Sequence, residues 1–379
     1  MKKYDWVSTV KLNLFVFKLA GLWPQGSGYK FNFYLLHGII TTFILGFIQS
    51  FCQTWKLLTN FNDLQVVTET AFLSISESLV VVKMFYLALN MRSLKKLLIN
   101  LNSDLFQPHS LDQIELVKPS LNTWRLMYNL LGSSITVAII FWAMVPVLTN
   151  TIKQHRLPFM AWYPYDTTIS PLYEITYIHQ VASILYIAYV NVNLDTFIAA
   201  FSLYAGAQLD ILCDNLKNMS PEVFRESLVV CVRRHREIIS FVKTYNKAFN
   251  WIIFIQFFAS AVSLGLTMFL LSVVEPFSSE FCSFLFYGNA VLLEIFIYCW
   301  FGNELQIKSS QVFTVAFQSQ WADADQESKY DLVFFMMKTQ NILKISAMNL
   351  FDLSLENFLK ILKTAYSYFA LVSRLSSDE

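Results

Sequence analysis

Apolar residues gather into seven stretches of bilayer length, at residues 33–55, 66–89, 126–148, 173–204, 251–274, 281–301 and 353–375. Roughly 20 such residues in a helix cross the hydrocarbon core of a membrane. Only helices and closed barrels can satisfy their backbone there. The pattern therefore predicts an all-α membrane protein with seven transmembrane helices, and an odd number puts the two termini on opposite sides.

The last stretch carries a polar stripe. Glu356, Lys360, Lys363, Ser367 and Arg374 recur at steps of four, three, four and seven, which aligns them on one helical face. Lipid does not accept such a face, so it must look at protein or at water. Two readings stay open: a wall of a conduction path, or the inward side of a packed bundle.

Charge sets the orientation. Of 28 Lys and Arg residues, all but seven lie on the N-terminal side of the span map. Lys56, Lys153, Arg156 and Arg374 fall on the opposite side, and Lys83, Lys360 and Lys363 fall inside spans. The positive-inside rule then predicts a cytosolic N-terminus and an extracellular C-terminus, an inverted topology. A G-protein-coupled receptor would have the opposite sense.

Between the spans, several segments read as ordered. Residues 5–22 predict an amphipathic helix on the cytosolic membrane surface. Ser220-Pro221-Glu222 reads as a helix start, followed by the apolar face Leu228, Val232, His235, Ile239, Val242 and Phe249. The fifth helix is thus expected to reach far into the cytosol. The sixth continues through Leu305, Val312 and Phe317 to Trp321, and residues 331–348 predict a further amphipathic helix before Ser354 caps the last span. These extensions could pack within one chain or build an anchor between subunits. Residues 149–171, with Pro158, Pro164, Pro171, Trp162, Tyr163 and Tyr165, read as an ordered aromatic cap. The implied organisation is a cytosolic N-terminal segment (residues 1–32), spans one to four as a ligand-binding bundle (33–220), spans five and six with anchor extensions (221–349), and the last span with a short tail (350–379).

Composition narrows the function. The chain is 55% hydrophobic and 15% charged, and its net charge of +1 argues against a nucleic-acid partner. Five cysteines show no metal-ligand spacing, although Cys52 and Cys282 both fall near the outer face and could pair. No HExxH, GxSxG or phosphate loop occurs, so an enzyme is not expected and neither metal nor cofactor is implied. Glu69, Glu77, Asp195 and Glu294 fall inside spans and must meet protein or water, either as functional anchors or as structural partners of Lys83. The outer halves of the spans place Leu73 and Ser76 on the second, Ala138, Phe141, Trp142 and Val145 on the third, Tyr173, Tyr177, Val181 and Leu185 on the fourth, and Tyr287 and Val291 on the sixth. A cavity of such residues would suit a small neutral ligand, and aromatic core packing is the alternative.

Two runs carry a family resemblance. CWFGNELQIKSSQVFTVAFQSQW (residues 299–321) and LENFLKILKTAYSYFALVSRL (residues 355–375) resemble the insect odorant receptors, through GNEL, the following Ser-x-x-Val, Trp321, and the terminal pattern of Thr364, Tyr366, Ser367 and Phe369. The terminal motif of the related gustatory receptors is absent. The connection after the fourth span is short, which resembles an odorant-tuned subunit and not the co-receptor. The resemblance implies an odorant-gated, non-selective cation channel: a heterotetramer with co-receptor subunits in the plasma membrane of olfactory sensory neurons, binding a small volatile organic ligand. It also implies a central pore walled by the last helices, with Leu371 at the constriction, Ser367 below it, and Arg374 and Leu375 above. A gustatory-type channel, a G-protein-coupled receptor and a transporter are the other classes. The last would need repeats and Gly- or Pro-broken helices that are not visible.

Overall fold

The computed structural model describes residues 3–24, 26, 28–29, 31–60 and 64–377. Ten helices follow in order among them: α1 (Lys11–Leu19), α2 (Phe33–Thr41), α3 (Ile48–Thr59), α4 (Leu64–Leu101), α5 (Leu111–Leu148), α6 (Leu172–Lys217), α7 (Phe224–Val273), α8 (Ser279–Phe317), α9 (Gln326–Thr339) and α10 (Leu355–Ser377). A π-helical turn, Thr42–Phe47, joins α2 to α3, so the two form one span from Phe33 to Thr59. With α4 to α8 this makes six helices long and apolar enough to cross a membrane. α10 is the seventh, equal to the task in length but polar along one face.

The spans outrun the bilayer at one end. α6 has 46 residues and α7 has 50, and at 1.5 Å per residue each exceeds twice a hydrocarbon core of about 30 Å. The excess lies at the end of the bundle rich in Lys and Arg, here called the basic end. Ser220 makes no side-chain cap there; a 3-10 turn, Pro221–Val223, leads into α7 instead. The N-terminal helix docks on the bundle by one face, while Leu12, Phe15 and Leu19 on the other stay exposed. Trp6, Val10 and Phe17 are fully buried, Trp6 Nε1 donates to the Phe106 carbonyl (3.1 Å), and Asn13 Nδ2 donates to the Asn193 carbonyl and the Thr196 hydroxyl on α6 (3.0 and 2.8 Å). An apolar face that finds a bundle groove buries more area than one lying on lipid headgroups.

The segment before α10 also departs from the sequence reading. Its helix spans Gln326–Thr339, not 331–348, because Asp325 caps it from the N-terminal side: its carboxylate accepts from the Ser328 amide and hydroxyl, which holds Asp325 below the usual carboxylate range. Beyond it runs an antiparallel ribbon, β1 (Ser346–Ala347) with β2 (Phe351–Asp352), turned by Met348 and Asn349 at positive φ. The ribbon is bolted to the bundle. Ser346 N donates to Asn246 on α7 (3.0 Å), Gln306 on α8 donates to the Leu353 carbonyl (2.9 Å), and Phe351 stacks on Phe257 (5.4 Å). Gly302 makes the fit possible, since a Cβ there would stand 2.3 Å from Leu353 Cβ. Gly265 does the same for α10, where a Cβ would meet Tyr368 Cβ at 2.7 Å. Ser354 caps α10 through the Asn357 amide, as its position predicts.

Candidate functional site

Four helices meet around a small cavity of about 70 Å³ near the end of the bundle that carries the 149–171 connection. α4 contributes Leu73, Ser76, Glu77 and Val80, and α5 contributes Ile135, Ala138, Ile139 and Trp142. α6 adds Ile184, Ile187, Ala188 and Asn191, and α8 adds Tyr287, Ala290, Val291 and Glu294. Each set falls at positions i, i+3, i+4 and i+7, the spacing of one helical face. Towards the cap lies a second, wider space of about 330 Å³ lined by charged groups including Lys56, Glu69, Arg156 and Glu280. Arg156 and Glu280 pair across its rim at 3.1 Å.

An aromatic partition separates the two spaces. Phe72, Trp142, Phe284 and Tyr287 interlock with ring centroids 5.2–6.3 Å apart, mostly edge to face. Phe159 of the cap presses on Trp142 from above (5.7 Å). Tyr287 is fixed by its hydroxyl, which donates to the Phe72 carbonyl (3.1 Å) and lies 2.6 Å from Ser76 Oγ. The cap is held by Gln180, whose amide exchanges bonds with both backbone groups of Phe159, and by Trp162, whose amide N–H donates to the Cys52 carbonyl.

Below the cavity lies an ion cluster sealed from solvent. Lys83 Nζ donates to Asp195 (2.6 Å), Glu294 (3.1 Å) and Asn191 (2.8 Å). Asn191 also donates to Glu294, and the Tyr298 hydroxyl donates to Asp195 at 2.7 Å. For Asp195 and Glu294 the partner reading of the sequence is what the geometry contains. Glu294 is also part of the cavity floor. Glu69 lines the upper space instead, and Glu77 stands apart beside Gln49 and Gln53.

Of the residues singled out from sequence, Leu73, Ser76, Ala138, Trp142, Tyr287 and Val291 come together around the cavity, and Val145 lines the upper space. Five do not join them. Phe141 stacks on Phe286, Tyr173 packs on His155, and the Tyr177 hydroxyl donates to the Ala143 carbonyl. Val181 lines neither space, and Leu185 is exposed on the outer surface. The inward face of α6 is instead Ile184, Ile187, Ala188 and Asn191, one position out of phase. A polar Asn at helical spacing from Ile184 and Ile187 was the signal for it.

On α10, Ser367, Leu371 and Arg374 fall on the exposed face with Leu359, Lys360, Lys363 and Thr364. Glu356 and Lys360 pair along it at 2.7 Å. The opposite face, with Phe358, Ile361, Leu362 and Ala365, packs on α7 and α8. The Leu375 side chain lies outside the described residues. Cys52 and Cys282 are both free thiols, as are the three other cysteines.

The family profile described as 7tm odorant receptor matches residues 63–366. Among characterised proteins, Odorant receptor Or1 of Anopheles gambiae is 23% identical over 99% of this chain and 97% of its own. Odorant receptor 46a, isoform A, of Drosophila melanogaster is 22% identical over 95% and 96%. Among solved structures, the olfactory receptor OR5 of Machilis hrabei in complex with eugenol superposes with a TM-score of 0.84 at 16% identity, covering 98% of this chain and 100% of that one.

Proposed function

Because this chain belongs to the odorant receptor family, we propose that it is an odorant-tuned subunit of a ligand-gated, non-selective cation channel, assembled with co-receptor subunits in the plasma membrane of olfactory sensory neurons. One observation carries the reading. A single chain combines an apolar cavity walled by Trp142 and Tyr287 with a membrane-length helix whose polar face is left uncovered. The cavity suits recognition of a small volatile by apolar contact, and the uncovered face suits a water-filled path closed by other subunits. The basic end lies in the cytosol and the cap faces outside, by the distribution of Lys and Arg.

The two parts share elements. α8 lines the cavity through Tyr287, Ala290, Val291 and Glu294, and two residues beyond Glu294 it touches α10, where Phe296 meets Phe358 edge to face at 5.5 Å. A ligand wedged behind Tyr287 displaces α8, and α8 carries α10 with it. Leu371, an apolar position within the stripe, closes the path by excluding water, and its withdrawal opens it. At the basic end, the outward residues Tyr330, Val333, Phe334 and Met337 of α9, with Val229 and Val230 of α7, form the apolar surface that binds neighbouring subunits. The deciding experiment is whole-cell recording from cells expressing this chain with and without an insect co-receptor, against an odorant panel. Odorant-evoked cation current that needs both chains is the expected result; no odorant-evoked current from the pair overturns the reading.

A further inference from the structure

A groove runs down the outside of the bundle, where α2 and the π-helical turn lean against α4. It measures about 360 Å³, against about 70 Å³ for the cavity inside. Ile39, Phe43 and Phe47 form one wall, and Val81, Phe85 and Ala88 form the other. Ile39, Phe43, Phe47 and Phe85 are exposed, so the groove opens outward. The first wall contains the π-helical turn Thr42–Phe47, a distortion that recurs at functional sites. Both hydroxyls that line the groove are taken. Thr42 Oγ1 lies 2.9 Å from the Tyr186 hydroxyl, and the Tyr29 hydroxyl donates to the Leu22 carbonyl (2.8 Å). Walls without an available polar partner suit hydrocarbon and reject polar groups.

The foot of the groove is cationic. Arg92 and Lys95 follow Ala88 at four and seven residues, on the same face of α4. Lys95 is turned into the carbonyls of Pro24 and Gly26, and Lys18 of α1 stands near enough for the two charges to interact. Arg92 and Lys18 are exposed, and neither makes an ion pair among the described residues. From Val81 to Arg92 the helix rises about 16 Å, which is the depth of one leaflet in a hydrocarbon core of about 30 Å. We infer that the groove holds an anionic phospholipid of the leaflet at the basic end, with one acyl chain between α2 and α4 and its phosphate at Arg92 and Lys18. The walls alone would accept any lipid tail. The uncompensated cations, one leaflet's depth below the top of the groove, select a negative headgroup, by about fivefold for each Lys or Arg. Such a lipid requires only that α2 to α4 cross a bilayer, and not that the chain gates a channel.

The test is photolabelling of the full chain in nanodiscs of phosphatidylglycerol and phosphatidylcholine in equal parts. One lipid at a time carries a diazirine in mid-chain, a diazirine sterol is the third probe, and peptide mass spectrometry locates the label. Phosphatidylglycerol should label residues 39–47 and 81–88 at least about tenfold more than phosphatidylcholine does. Arg92→Gln and Lys18→Gln, both at the surface, should each lower that ratio about fivefold and leave the melting temperature within a few degrees. Ala88→Phe fills the groove and should remove the label there with either phospholipid. Equal labelling by the two phospholipids, a ratio that survives both Gln substitutions, preferential labelling of these residues by the sterol, or no label in the groove from any probe overturns the assignment.

Discussion

α6 and α10 both reach across a membrane, but they are buried in opposite ways. Every residue of α6 from 192 to 209 is buried, polar ones included. In α10 the only buried side chain among those described is Ala365, and one whole face stays open. α6 is enclosed by α1, α5, α7 and α8 of its own chain and is complete as it stands. α10 packs mainly on α7 and α8 and leaves Lys360, Lys363, Ser367 and Arg374 exposed. A membrane helix with such a face is unfinished in a single chain, so its environment must come from outside. The difference divides the molecule into a scaffold that tolerates little and a working edge that tolerates much.

The largest expected effect breaks the scaffold. Lys83→Met leaves Asp195 and Glu294 facing each other without their cation, which should destabilise the chain by about 3–5 kcal/mol, visible as lost surface expression and a lowered melting temperature. Lys360→Met and Lys363→Met, on the open face of α10, should change the melting temperature hardly at all. Equal losses at both places would erase the contrast. Next in size is assembly. Asp at both Phe334 and Met337, each exposed in the single chain, should leave the fold intact but abolish co-purification with the co-receptor, because an interface does not accept unpaired carboxylates. Phe335 is the wrong probe for this, since it is buried against His235 within the chain.

Smaller effects sharpen the picture at the cavity and the stripe. Trp142→Ala removes the ring that divides the cavity from the upper space and should shift the odorant dose–response by about tenfold, as loss of one aromatic contact amounts to about 1.5–3 kcal/mol. Smallest of all, Arg374→Glu should raise inward cation conductance a few-fold, most clearly at low salt, where surface charge is least screened. In the proposed assembly, co-receptor subunits supply the rest of the ring, which keeps the expected change to a few-fold.

How far these features could be read from the chain follows from the same contrast. The spans were legible because apolar runs of that length have few other uses, and the stripe of α10 was legible because one polar face leaves a helical period. An apolar outer surface hides the period. In the first half of α6 apolar residues also occupy exposed positions such as Ile175, Ile178 and Leu185, so only the polar Asn191, at helical spacing from Ile184 and Ile187, marked the inward face that Tyr173, Tyr177, Val181 and Leu185 missed. The β ribbon was hidden for another reason. Leu343, Ala347 and Phe351, four residues apart, continue the apolar spacing of a helix, while the helix itself stops at Thr339 and Met348 and Asn349 at positive φ turn the ribbon. Gly302 and Gly265 were unremarkable in sequence, because close approach is a property of what arrives opposite them.

The central claim is that the open face of α10 meets water in the assembled channel while its other face does not. Single cysteines at Ser367, Leu371 and, as the inward control, Ala365 can be probed in the complex with a charged, membrane-impermeant thiol reagent during recording. The account predicts rapid modification and altered current at Ser367→Cys and Leu371→Cys when odorant is present, and no change at Ala365→Cys beyond that of wild type. Identical behaviour of all three, or modification at Ala365→Cys alone, would contradict it.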